Sequence, residues 1–293
     1  MRITNGIIQR TALANLQTNM RRMLEAQDAT SSGKRIHIAS DDPIGASQVM
    51  QADGSLRALD QYKRNISSAT ARVNAEETAL DTLTTILERA KEIGITQAVA
   101  SASPATRAAG KAEVDQLIAS VVQLGNQQHE GEYLFGGLQS STAPFQSGTP
   151  PYAAVPPTGS RQAEIAQSQF ITTNHNGTEV FLDTNVLGAL NALSTALGTN
   201  DIVGVQNSLT ALDGAHDAVQ NLIGDIGARS SQLEVTSNNL TALDTQLRTF
   251  KSVLEDADTE KAVTELVSRQ NTYQAAMLAM SRVMSLNLAS YLS

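Results

Sequence analysis

The sequence predicts a mainly α protein: a long antiparallel helical bundle or coiled-coil rod formed by both chain halves, with a small β-rich inserted domain. Three observations carry this. Val205, Leu212, Val219, Ile226, Leu233, Leu240, Leu247 and Leu254 fall seven residues apart, the period of a coiled-coil seam. Only 3% of the side chains are aromatic and there is no Trp, which suits thin helical packing better than a deep enzyme core. The middle differs: five of the seven prolines lie between Pro144 and Pro157, and six of the ten Phe and Tyr between Tyr133 and Phe181.

The elements follow in order. Leu13, Leu16, Met20 and Met23 repeat at three-four spacing and predict an amphipathic helix too narrow-striped to fold alone. Asp42 then caps a long helix with Pro43 at its first position, a stronger reading of Asp41-Asp42 than a metal-binding carboxylate pair. That helix runs from about Ile44 to Ala98 on the stripe Leu59, Tyr62, Ile66, Ala69, Val73, Glu76, Leu80, Leu83, Leu87, Ala90. Ser103-Pro104 opens a third helix, with Val114, Leu117, Val121 and Leu124 as its stripe.

Residues 140–183 read as the β-rich outer insert. Asn176-Gly177 is its turn signal, and the alternation Glu179-Val180-Phe181-Leu182 reads as a strand. Its apolar residues can pack locally, so the insert is expected to be separable from the helices. A short helix fits Val186 to Leu197, closed by Gly198.

The long seam follows. Its second position lies four residues on at Leu209 and Ile223 and three residues on at Leu243 and Phe250. The change predicts a local adjustment near Gly224 and Gly227. Glu255-Asp256-Ala257-Asp258-Thr259-Glu260 lacks the Gly and spacing of an EF-hand, and reads as the end of one helix and the cap of the next. A last stripe comprises Val263, Leu266, Tyr273, Met277, Met280, Met284 and Leu288. The expected organisation is therefore a terminal coiled-coil assembly region (1–40 and 257–293), a helical rod (41–139 and 184–256) and the insert. Both end helices are expected to contact other subunits, through adaptable Met-rich surfaces.

Composition excludes several functions. With 21 Lys plus Arg against 29 Asp plus Glu the net charge is −8, a poor basis for binding nucleic acid. No Cys leaves no disulfide, thiolate metal site or thiol nucleophile. His37, His129, His175 and His216 are scattered, and no phosphate loop or nucleophile elbow is present. The reading is a non-enzyme without cofactor or metal. No run of about 18 apolar residues predicts a membrane span, and the start lacks the apolar region of a cleaved secretory signal.

Ser31-Ser32-Gly33-Lys34-Arg35-Ile36, then Ala39-Ser40-Asp41-Asp42-Pro43-Ile44-Gly45, resembles the N-terminal signature of bacterial flagellins and their relatives. Leu254-Glu255-Asp256-Ala257-Asp258, then Glu265-Leu266, resembles the C-terminal one. Gly131-Glu132-Tyr133-Leu134-Phe135-Gly136-Gly137 and Thr142-Ala143-Pro144-Phe145 are similar to the hook-associated protein 3 group of that superfamily.

The resemblance implies a structural part of the flagellum, exported through the flagellar type III apparatus with no cleaved signal peptide. It would form a ring, a homo-oligomer in a helical tube, between the first hook-associated junction protein and the flagellin filament, with an export chaperone as a further partner. Flagellin itself is the alternative, and an unrelated helical adhesin or signalling rod is the remoter one.

Overall fold

The computed structural model describes residues 2–146, 148, 150, 152–153 and 156–292, without the side chains of 2–6, 8, 9 and 283–292. Six α-helices run among the described residues: α1 (Arg2–Ser32), α2 (Pro43–Gln97), α3 (Pro104–Gly125), α4 (Val186–Gly198), α5 (Ile202–Glu255) and α6 (Thr259–Leu292). Two antiparallel strand pairs join β1 (Gln128–His129) to β2 (Glu132–Tyr133) and β3 (Gln162–Ala166) to β4 (Gln169–Thr172). A π-helical turn occupies Thr178–Leu182. The chain divides into two compact units, Met1–Ala58 with Leu243–Ser293, and Leu59–Ala242.

The caps work as the sequence predicts. Asp42 Oδ1 accepts the Gly45 amide at 2.9 Å, with Pro43 first in α2. Ser103 Oγ accepts the Thr106 amide at 3.2 Å, with Pro104 first in α3. Each satisfies an amide that the first helical turn leaves without a partner.

In the second unit α2 and α5 run antiparallel. His216 reaches toward Glu88, Asp213 pairs with Lys91, and a Cβ at Gly94 would meet Leu209 at 2.7 Å. Every expected stripe residue of α2 is buried except the half-buried Tyr62. From α5, Val205, Leu212, Val219, Ile226, Leu233 and Leu240 are buried, and the row weakens at the half-buried Leu247 and Leu254.

The second row of α5 differs from expectation. It keeps a constant offset of three, and Ser208, Ala215 and Thr236 are its buried members. Leu209 and Ile223 are only half-buried, and Leu243 and Phe250 are exposed. Leu209 and Ile223 stand one residue beyond this row, whereas Leu243 and Phe250 keep its offset of three where the row has come out of the core. Its buried members are small or hydroxylated, and so carry no large apolar signal. The helix runs unbroken through Gly224 and Gly227, where a side chain would meet nothing, and no adjustment occurs there.

The middle segment is less β-rich than its alternation implies. Residues 179–182, expected as a strand, lie in the π-helical turn. Asn176 Oδ1 accepts the amides of Thr178 and Glu179, while Glu179 Oε2 accepts the Asn176 amide. That reciprocal pair is a capping box, and it starts a helix rather than a strand. Phe181 packs edge-on against both Phe135 and Phe145, each at 5.1 Å. The segment is also fastened to the helices around it: Asn65 of α2 donates to the Glu164 carbonyl, Asn126 exchanges two bonds with Phe145, and Tyr152 donates to Asn191 of α4.

One stretch, Thr178–Gly198, reaches a mean hydropathy of 1.2, enough by length and composition to cross a membrane. It is two elements rather than one helix. The π-helical turn and α4 meet at Asn185, which has a left-handed φ of +59°, and 61% of the window is buried inside the protein.

Candidate assembly surface

In the first unit α1 packs against α6. The half-buried stripe of α1 is Ala12, Leu16, Asn19, Met23, Ala26 and Thr30, with half-buried Thr18 and Ala29 beside it, and that of α6 is Ala262, Leu266, Arg269, Tyr273, Ala276 and Met280. Both follow four-three spacing, so each helix gives its partner a single stripe. No described residue of either stripe is fully buried.

The residues predicted to contact other subunits therefore separate into two rows. Leu16, Met23, Leu266, Tyr273 and Met280 lie in the half-buried row between the paired helices. Leu13 (47% exposed), Met20 (46%), Val263 (48%) and Met277 (49%) face outward. Met284 and Leu288 lie in α6, but their side chains are outside the described ones. Sequence reasoning missed four more exposed apolar residues, Ile7, Leu24, Val267 and Leu278. Their signal was position: each stands beside the stripe at helical spacing. Covering the wet half of each exposed side chain is worth on the order of 1 kcal/mol, so the whole face would supply several.

The signature residues tie the two connectors of this unit together. Gly33 follows α1 with φ +69°, a left-handed conformation that favours glycine. Its carbonyl accepts the Ala257 amide at 2.8 Å, and the Arg35 amide donates to the Glu255 carbonyl at 2.6 Å. Lys34 and Asp256 thus form an antiparallel bridge between the loop before α2 and the loop before α6. The Arg35 guanidinium donates to the Leu254 carbonyl at 2.8 Å and to Asp42 at 3.3 Å. Lys34 pairs with Glu255, and Lys251 pairs with Asp53 at 2.6 Å.

The remaining signature residues shape these loops. Asp41 Oδ2 accepts the amides of His37 and Ile38, each at 3.0 Å. Ile36 is buried, and a Cβ at Gly45 would strike both it and Asp42. Asp256 accepts from the Ser252 hydroxyl, and Asp258 Oδ1 caps α6 through the Lys261 amide at 3.1 Å. The Ile38 and His37 amides hold the Asp41 carboxyl below the usual range, and the Gly45 amide does the same for Asp42. The Asp53 carboxylate raises the Lys251 ammonium.

This arrangement binds segments together and offers an apolar face. It gathers no nucleophile, base and oxyanion donor in one place, and no group of three or more His, Asp or Glu among the described residues is placed to hold a metal.

The comparisons agree with this geometry. The family model described as the bacterial flagellin N-terminal helical region matches residues 3–140, and that described as the C-terminal helical region matches residues 209–292. The chain belongs to the bacterial flagellin family. Both signatures and the α1–α6 pair fall inside the matched regions. Among relatives of this flagellin-family chain, flagellar hook-associated protein 3 of Escherichia coli is 23% identical over 98% of both chains. The flagellin of Halalkalibacterium halodurans is 25% identical over 96% of this chain and 94% of its own. The crystal structure of Xanthomonas campestris FlgL shares the fold, with a TM-score of 0.62 at 16% identity over 69% of this chain and 99% of that one.

Proposed function

We infer that this flagellin-family chain is a structural subunit of the bacterial flagellum that forms the junction ring between the hook, through its first junction protein, and the flagellin filament. The observation that carries the reading is end-to-end similarity to hook-associated protein 3, at 98% coverage of both chains. The exposed row on α1 and α6 supports it, because stacked copies in a tube would cover both faces. In this reading the subunit is a homo-oligomer exported without a cleaved signal peptide, held by a chaperone beforehand, and has no catalytic role.

Removal of the protein from the cell that makes it tests the reading. Electron microscopy is expected to show hooks without filaments, and flagellin is expected in the medium. The wild-type chain should restore filaments. Leu13→Asp with Met277→Asp should fold and fail to restore them. Normal filaments in cells lacking the protein would overturn the junction role. The similarity to a flagellin over 96% of the chain favours a second reading, the filament subunit itself. Copy number separates the two: a ring's worth per flagellum for the junction, thousands for the filament.

A further inference from the structure

His175 lies between β4 and the π-helical turn, buried between α2 and α5. Its Nδ1 stands 2.7 Å from Glu76 Oε1, and its Nε2 stands 3.0 Å from Asp225 Oδ2. The His175 amide also donates to Glu76 Oε1, at 2.9 Å. A carboxylate only accepts hydrogen bonds, so a ring nitrogen bonded to one must carry the proton. The two carboxylate contacts are satisfied together only by an imidazolium, while a third contact, from the Arg229 guanidinium to Nε2, is satisfied only by the neutral ring.

A replacement donor already stands beside them. Arg229 Nη2 is 3.0 Å from His175 Nε2 and 2.6 Å from Asp225 Oδ2. If Nε2 loses its proton, its lone pair faces a guanidinium N–H that is in place, and the same guanidinium keeps Asp225. Nδ1 has no such substitute: Glu76 is buried, and its Oε2 has no partner. The other charged groups nearby are Arg72, one turn earlier on α2, and Glu179, whose carboxylate is held by the Asn176 amide.

We propose that His175 is a proton-operated latch that fastens the segment before the π-helical turn to the α2–α5 pair. With the imidazolium, two carboxylates face two cations and the cluster is neutral. After Nε2 releases its proton, one negative charge is left over beside a buried carboxylate, which low dielectric makes costly. The latch is therefore tight in acid and looser in alkali.

Nitrogen NMR of the imidazole in the full-length chain, from about pH 5 to about pH 8, tests the proposal. Both ring nitrogens should read as protonated at the acid end. Raising the pH should move Nε2 alone to the deprotonated position, and hydrogen-exchange protection of the His175 and Gly177 amides should fall about tenfold, the worth of one charge-assisted hydrogen bond. Arg229→Gln should enlarge that fall. Glu76→Gln keeps an acceptor but removes the buried charge, and should shift the proton release to lower pH. A ring whose signals do not change over the range would overturn the latch, as would release from Nδ1 or protection factors that ignore the titration. The wild-type titration is decisive even if a variant fails to fold.

Discussion

The carbonyl of Gly33 accepts the amide of Ala257 at 2.8 Å, across more than two hundred residues of chain. The connector after α1 and the connector before α6 are thereby locked at one level, so the two helices must lie antiparallel. The left-handed φ of Gly33 makes the bond possible. Gly33→Ala should destabilise by about 1 kcal/mol, from backbone strain alone, because a Cβ there meets no other atom within 4 Å. Gly54→Ala, in the interior of α2 with equally open space, should stabilise by about 0.5–1 kcal/mol. Denaturant unfolding of both variants checks the opposite signs.

Leu240→Asp would place an unpaired carboxylate on the buried row of α5, at a cost of several kcal/mol. Asn239→Asp and Leu243→Asp, on exposed neighbours, should stay within about 0.5 kcal/mol of wild type. Thermal unfolding of the three variants tests the register, and a large loss at Leu243 would restore the seam first read from sequence.

Arg107 is buried and holds three partners at once. Its guanidinium donates to the carbonyls of Gln97 and Val99 and to the Asn200 side chain, which ties the α2–α3 turn to the α4–α5 turn. Arg107→Ala would remove a buried side chain and its three hydrogen bonds to half-buried or exposed acceptors, at about 2 kcal/mol. Arg107→Lys should recover little, since an ammonium lacks the planar fork that reaches all three. Local hydrogen exchange around Val99 and Asn200 would read the loss.

Acid and alkali should loosen the first unit through different groups. The folded chain depresses Asp41 and Asp42 from 3.8, so their contribution is complete above the ordinary carboxylate range and disappears as pH falls through the depressed values. Lys251 is raised from 10.5, so its contribution is complete below that value and is lost as pH rises through the raised one. Asp41→Asn should flatten the acid limb of a stability-against-pH curve and leave the alkaline limb in place. Lys251→Met should do the reverse.

The sequence carries some of these features plainly and hides others for physical reasons. Asp42-Pro43 and Ser103-Pro104 announce their helices because capping is local chemistry between a side chain and amides two or three residues on. The first row of α5 is visible because its members are large and apolar. Ser208, Ala215 and Thr236 are not visible, since burial of a small or hydroxylated residue depends on what faces it. Asn176 and Glu179 did carry a readable signal, an Asn with Glu three residues on, but the alternation after it masks the capping box. On α1 and α6 spacing identified apolar stripes, yet could not separate Leu16, which faces the sister helix, from Leu13, which faces outward. The two differ only in rotation about one helix axis.

The pairing of α1 with α6, α2 with α5 and α3 with α4 is nested, like brackets within brackets. The inner pair closes over the shortest intervening chain and the outer pair over nearly the whole of it. Loop-closure entropy grows slowly with length but search time does not, so assembly from the inside outward is the favoured order. A chain that emerges from its N-terminus meets this order in reverse. Its first helix is made earliest and waits longest, unpartnered, until the last helix follows it out.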